Sequence, residues 1–256
     1  MIMCSLPLSS SLIFLFIPAT FFGESLIQLL EPAQKEKNSA IIPAPRFDCL
    51  SYFQKNLNDA DRQPKIDLIF DGDSITNLWT TTGAEIWKDR YVKLNAFDFG
   101  ISGDQTQNLL WRLQNGQVNG LHPKLIVLLI GTNNISNTPE QIAEGIKAIL
   151  PEYQKRCPHA AILLQGIFPR GERPTDPNRA RIDSVNRIIA SFADGNKIIY
   201  LDFGDKFLQS DGTLSAEIMG DYLHLTAKGY QIWADAIRPT INRFFPPAPA
   251  PAAAQR

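Results

Sequence analysis

The sequence predicts an α/β fold, a doubly wound sandwich in which helices cover both faces of a parallel sheet. Three observations predict it. Short apolar runs alternate with stretches of helical periodicity. Several of those runs are apolar at every position, as in strands covered on both faces. Each run is followed by a helix or a long crossing.

The expected strands are 66–70, 94–99, 125–130, 161–168 and 197–203. Between the second and third, Leu109, Leu110 and Leu113 fall at helical spacing. Thr138, Pro139 and Gln141 supply an N-cap, a proline at the first helical position and a capping-box partner, ahead of Ile142, Ile146 and Ile149. Ile182, Val185, Ile188, Ile189 and Phe192 repeat the pattern, and Gly195 is placed to close that helix. Ile232, Trp233, Ala236 and Ile237 mark the last one. No internal repeat is present.

The chain has 256 residues, 44% of them hydrophobic, enough for one good core and hence one domain. Its 25 Lys plus Arg against 26 Asp plus Glu leave no basic field for nucleic acid and no acidic excess pointing to disorder, so a small, roughly neutral partner is expected. The run 12–22, broken by Pro18 and Thr20, is too short to span a bilayer but has the size of a signal-peptide core, although no basic residue precedes Lys35. The expected organisation is an export segment or anchor at 1–30, a Pro/Ala/Lys/Glu-rich linker at 31–45, the domain at 46–245 and a disordered Pro/Ala tail at 246–256. Periplasmic or extracellular localisation follows as an expectation, with no stable membrane association once the signal is removed. Cys4, Cys49 and Cys157 show no C-x-x-C spacing, so no zinc site is encoded. Cys49 and Cys157 read as ordinary thiols, with a disulfide as the alternative.

In a doubly wound sheet, ligands sit at the carboxyl ends of the strands, so functional residues should follow strands directly. The first strand runs into Asp71-Gly72-Asp73-Ser74-Ile75-Thr76, where backbone N–H groups at a helix start can stabilise an oxyanion. Taken alone, Ser74 reads equally well as a plain N-cap. A serine nucleophile needs a base. His122 and His159 precede strands, at the wrong edge, which leaves His224 in Asp221-Tyr222-Leu223-His224, where a carboxylate three residues earlier can hold one ring nitrogen and leave the other free. The third strand ends in Gly131-Thr132-Asn133-Asn134, whose amide is either an alkoxide-stabilising donor or part of an Asx turn. The second delivers Gly103, which can bring a bare backbone N–H to the same point. Asp73 reads as structural support. Trp79, Trp111 and Phe168 are candidates for an acyl or sugar pocket, although aromatic residues at such spacings are more often core.

These four segments, in order, resemble the four sequence blocks of the SGNH (GDSL-type) hydrolases over roughly 66–240. The stretches 110–116, 169–171 and 210–213 also resemble the platelet-activating-factor acetylhydrolase branch of that family and related bacterial esterases. The resemblance implies a flavodoxin-like three-layer sandwich with a five-stranded parallel sheet. It implies Ser74 as nucleophile, His224 as base and Asp221 as its orienter. It implies an oxyanion hole of the Ser74 and Gly103 N–H groups and the Asn133 side chain, with no metal or organic cofactor. The expected activity is hydrolysis of short-chain, chiefly acetyl, esters, on carbohydrate substrates. The alternatives are a lipid acetylhydrolase or lysophospholipase, and a non-catalytic carbohydrate-binding protein on a hydrolase fold.

Overall fold

The computed structural model describes residues 37–247. The expected export segment, the start of the linker and residues 248–256 of the expected tail lie outside them. Within them, five parallel strands form one sheet: β1 (Leu68–Gly72), β2 (Ala96–Asp98), β3 (Leu125–Leu129), β4 (Ala161–Gln165) and β5 (Ile198–Leu201), in the order β2-β1-β3-β4-β5. Each strand lies inside or within two residues of its expected range. The register sets Leu68 beside Leu125 and Leu125 beside Ala161. β1, β3 and β4 are buried at every position, which is why their sequences carry no polar alternation.

Seven helices flank the sheet among the described residues: α1 (Leu50–Arg62), α2 (Ser74–Asn77), α3 (Ala84–Arg90), α4 (Thr106–Gln114), α5 (Pro139–Arg156), α6 (Pro177–Ala190) and α7 (Ala227–Phe244). Leu109 and Leu113 of α4, Ile142, Ile146 and Ile149 of α5, and Val185 and Ile189 of α6 fill one core, against Ile126 and Leu128 of β3. On the other face, Trp79, Tyr91 and Tyr230 and Trp233 of α7 pack with Leu68 and Phe70 of β1. Phe70 lies 4.8 Å from Tyr91 and 5.8 Å from Trp79, ring centre to ring centre. Trp79 and Phe168 are therefore core residues and not pocket lining, while Trp111 packs edge-on against Phe53 of α1 at 5.5 Å.

The capping box of α5 forms as expected, with Thr138 and Gln141 each bonding the other's backbone N–H. Two helices escaped the pattern reading, because α1 lies where a domain start was expected and α3 is a short segment with no buried residue. Gly195 does not close α6, which ends at Ala190; it takes φ +72° in the turn before β5. The segment 38–46, expected as the end of a linker, is docked. Ala40 is fully buried, Asn108 donates to Ala44 O at 3.0 Å and Thr106 to Ala40 O at 2.9 Å, so the packed domain begins by Asn38. No helix of the described residues is long and apolar enough to cross a membrane.

Gly72 ends β1 where no side chain fits: a Cβ there would lie 2.0 Å from Leu129 O on β3. Gly72→Ala is expected to force β1 and β3 apart and lower unfolding free energy by at least about 1–3 kcal/mol, the usual overpacking cost. Urea unfolding of the two proteins measures this, and an unchanged midpoint would contradict the close approach.

Candidate active site

The strand order places β1 between β2 and β3, so the segment after β1 is flanked by the segments after β2 and β3. The chain turns outward from β1 to β2 and then crosses back to β3. That makes the β1/β3 boundary the topological switch point, where doubly wound sheets bind ligands. Ser74 sits there as the first residue of α2 and is 8% exposed. Its reading as an N-cap is corrected: the cap is Asp73, whose side chain accepts from Ile75 N at 3.0 Å. The serine hydroxyl is thereby left for another partner.

That partner is His224. Ser74 Oγ and His224 Nε2 are 2.9 Å apart, and His224 Nδ1 lies 2.7 Å from Asp221 Oδ2. Asp221 Oδ1 accepts from the backbone N–H groups of Leu223 and His224 at 3.1 and 2.7 Å, so the carboxylate is gripped by its own loop while it faces the ring. Burial opposes the Asp221 charge, but its bonds to the His224 N–H groups outweigh that and hold the carboxyl below its usual range. A base needs a free nitrogen toward the nucleophile and an anchored one behind, and this geometry supplies both. His122 and His159 are exposed, just ahead of β3 and β4, at the far edge of the sheet.

Gly103 takes φ +83°, a backbone conformation that favours glycine, and lies close under the Arg46 guanidinium. Asn133 Nδ2 donates one hydrogen to Asp104 O at 2.9 Å, while Gln105 Nε2 donates to Asn133 O at 2.8 Å. The side-chain amide is thus held through one of its two hydrogens, and the Asn133 backbone is held separately by Gln105. Asn134, its neighbour, is fully buried and holds Thr106 N through Oδ1 at 3.0 Å, a structural role.

Three arginines, none of them a candidate site residue in the sequence, stand around the site. Arg112 of α4 is buried and joins Asp71 of β1 (3.1 Å) to Asp104 (2.7 Å), donating also to Phe99 O and Gly72 O. Burial works against its charge, but the two carboxylates more than offset it and raise its pKa. Arg46, from the docked segment, donates to Ser102 O and pairs with Asp104 at 3.5 Å. Arg170 donates to Thr132 O at 3.0 Å, and the next residue, Gly171, donates its N–H to Tyr222 O at 2.9 Å. The segment 170–171 therefore spans from the Asn133 loop to the His224 loop. Its carbonyls are held by Arg179 of α6 at 2.9 Å each. Arg170 lies in the connection after β4 (Ala161–Gln165), where the strand-end rule that found Ser74 could have found it. Arg46 precedes every strand, and nothing in its neighbourhood marked it. A cavity of about 550 Å³ between α6 and the β5–α7 connection includes Arg179 but neither Ser74 nor His224.

Cys49 and Cys157 are free thiols, and burial pushes the Cys157 thiol up to about 11. Among the described residues, no three or more His, Cys, Asp or Glu side chains are grouped to hold a metal ion.

The architecture and the Ser–His–Asp constellation are those of a serine-type ester hydrolase. The comparisons agree: residues 70–232 match the model of the GDSL-like lipase/acylhydrolase family, and the chain belongs to that family. It is 38% identical over 203 residues to the human platelet-activating factor acetylhydrolase IB subunit alpha1, covering 76% of this chain and 86% of that protein. The alpha2 subunit of the rat is 38% identical over 206 residues, 77% of this chain and 88% of that one. Among solved structures, a GDSL-like lipase from Bacteroides thetaiotaomicron superposes with a TM-score of 0.63 at 22% identity, covering 75% of this chain and 97% of that one. A catalytic mutant of an acetylxylan esterase from Geobacillus stearothermophilus gives 0.53 at 18%, covering 69% and 95%. At those identities the structural likeness speaks for the fold.

Asp73 is fully buried beside the nucleophile. Burial pushes its carboxyl from 3.8 up to about 7, with Asp104 adding to the rise and the Ile75 N–H and Arg170 opposing it. The folded protein thus holds a proton that the unfolded chain has released, so this group's contribution is intact below about pH 4 and is lost as pH rises to about 7. Asp73→Asn keeps the cap and removes the titration. The stability of the wild type relative to this variant should fall by about 4 kcal/mol at most between pH 4 and 7 and then level off. Parallel stability curves from denaturant titrations across that range would contradict the buried neutral carboxyl.

Proposed function

We propose that this ester hydrolase acts on short-chain, chiefly acetyl, esters through an acyl-enzyme formed on Ser74, with a carbohydrate as the alcohol part. The observation that carries the reading is the unbroken relay from Ser74 Oγ to His224 Nε2 at 2.9 Å and from His224 Nδ1 to Asp221 at 2.7 Å. Ser74 Oγ attacks the ester carbonyl carbon while its proton passes to His224 Nε2. The carbonyl oxygen takes the negative charge and is met by the Ser74 and Gly103 N–H groups and the Asn133 side-chain amide. Collapse breaks the ester bond, and His224 hands its proton to the departing alcohol. Water then attacks the acyl-enzyme, losing a proton to His224, which returns it to Ser74 as the acid leaves. Asp221 stays ionised throughout and stabilises the imidazolium.

The acetyl preference is supported by what the names of the relatives have in common: the acetylhydrolases and the acetylxylan esterase both remove an acetyl group. The carbohydrate reading is supported by the polar surroundings of the site, which include Asn77, Ser102, Gln105 and Arg170. Export, if the run at 12–22 directs it, would place the enzyme among extracellular polysaccharides. An acetylated lipid is the second reading, favoured by the 38% identity to the acetylhydrolase subunits. Deacetylation of acetylated xylan and of an acetylated ether phospholipid, each at equal acetyl concentration, tests the two. A kcat/KM at least tenfold higher on the lipid would overturn the carbohydrate reading.

If Asn133 meets the charge that develops in the transition state, Asn133→Ala should lower kcat by about 10²–10³ with little change in KM. Steady-state kinetics on p-nitrophenyl acetate read this directly, and a change confined to KM would reject the role.

Acyl length gives a further test. A pocket lined for long chains gains about 0.8 kcal/mol per buried methylene, so kcat/KM would climb several-fold with each carbon. On p-nitrophenyl esters from two to twelve carbons the value should instead fall from acetate onward. A maximum at eight or more carbons would reject the acetyl preference and leave the relay assignment untouched.

A further inference from the structure

Two arginines that follow β4 make no ion pair. Among the described residues, neither Arg170 nor Arg179 meets a carboxylate at bonding distance, and both donate to carbonyls instead. Arg179 of α6 is 7% exposed, and burial lowers its pKa, with Asp176 and Asp183 only partly opposing the fall. A buried guanidinium without a carboxylate is costly, and an apolar side chain could fill the same space. What distinguishes the arginine is its grip: Nε and Nη2 donate to Arg170 O and Gly171 O at 2.9 Å each, two successive carbonyls.

The gripped segment reaches both sides of the catalytic rim. Arg170 Nη1 donates to Thr132 O at 3.0 Å, and Gly171 N–H donates to Tyr222 O at 2.9 Å. Each acceptor belongs to a planar peptide unit. The first bond therefore orients the Thr132–Asn133 peptide, and the second orients the Tyr222–Leu223 peptide, between Asp221 and His224. Both loops contain backbone that needs such support. Gly131, at the start of the first, takes φ +124°, and Tyr222 stands at φ +60°, a conformation that the surroundings must impose on a residue with a side chain. The bond from Asn133 Nδ2 to Asp104 O ties the first loop toward β2, away from the base. The Arg170 charge is felt at Asp73, so the guanidinium also stands near the nucleophile segment.

We propose that Arg170 is a positioning residue for the hydrolysis, tying the peptide that carries Asn133 to the loop that carries His224. This role rests on the reading of Asn133 and His224 given above. Without the tie, the oxyanion donor moves independently of the base, and the carbonyl oxygen and the attacking hydroxyl are no longer served at the same moment. A misplacement of about 1 Å can cost about 10²-fold in rate. Binding of the ground-state ester does not depend on that alignment, so the loss falls on kcat.

A double-mutant cycle on p-nitrophenyl acetate tests the role. Arg170→Met keeps an unbranched stem at a half-buried position and removes the donors. It should lower kcat at least about tenfold, with KM changed by less than about twofold. In the Asn133→Ala background the same substitution should cost less than about threefold, because the group that Arg170 positions is already gone. Thermal unfolding shows whether each variant is folded, and Arg170→Gln, whose shorter side chain falls short of Thr132 O, replaces a Met variant that is not. An undiminished kcat in the single variant overturns the role. An equal loss in both backgrounds overturns it too, since Arg170 would then act independently of Asn133, through its charge or through general stability. A change confined to KM overturns it by making Arg170 a substrate contact. If Asn133→Ala itself leaves kcat unchanged, the site reading falls first and the positioning role falls with it.

Discussion

The arrangement at the strand ends depends on one buried cation. Arg112 reaches from α4 under the active site and is held between Asp71, at the end of β1, and Asp104, just past Gly103. Through Asp71 it also meets Gln117 and Tyr153, which both donate to the same carboxylate oxygen. A guanidinium is suited to this position because it stays charged and its donors fan out in a plane, so one side chain can tie two carboxylates and two carbonyls at fixed angles. An apolar cluster could be as stable, since ion groups buried in this way often do no better than hydrophobic packing. An apolar cluster could not set the Gly103–Asp104 backbone so closely. Asp104 in turn offers its carbonyl to the Asn133 amide, so one ion network holds the Gly103–Asp104 segment and Asn133 beside the strand that leads into Ser74.

The opposite flank is set by backbone contacts. Residues 170–171 bridge Thr132 and Tyr222, and Arg179 holds the carbonyls of that bridge. Tyr222 itself adopts φ +60°, an uncommon conformation for a residue with a side chain, in the loop that brings Asp221 and His224 to the serine. Gly103, Asn133, Asp221 and His224 are therefore carried on loops, but each loop is pinned to a neighbour at the carboxyl edge of a sheet buried on both faces.

Much of this was legible in the sequence. The five strands were visible because continuous apolar runs mark strands buried on both faces, and α5 because its cap, proline and capping box are local chemistry. Ser74, His224 and Asp221 could be read because each functional residue follows a strand or precedes a helix, at the edge where a doubly wound sheet presents its ligands. What stayed hidden depends on partners far away in the chain. Arg112 meets Asp71 across 41 residues, and no periodicity encodes that meeting. The docking of 38–46 rests on Asn108 of α4 donating to it and on Glu144 of α5 accepting from it, although its own composition resembles a linker. For Trp79 the spacing left pocket and core both open, with core the commoner outcome, and its ring lies 4.9 Å from that of Trp233 in the core.

The central claim is that these strand ends activate one hydroxyl, that of Ser74, through His224. Fluorophosphonate labelling followed by peptide mapping, with the labelling rate compared between the wild type and His224→Ala, measures this most directly. The account predicts a single adduct on Ser74 and a rate that falls by about two orders of magnitude or more when the base is removed. An adduct on another serine, such as Ser102, or a rate indifferent to His224, would contradict it.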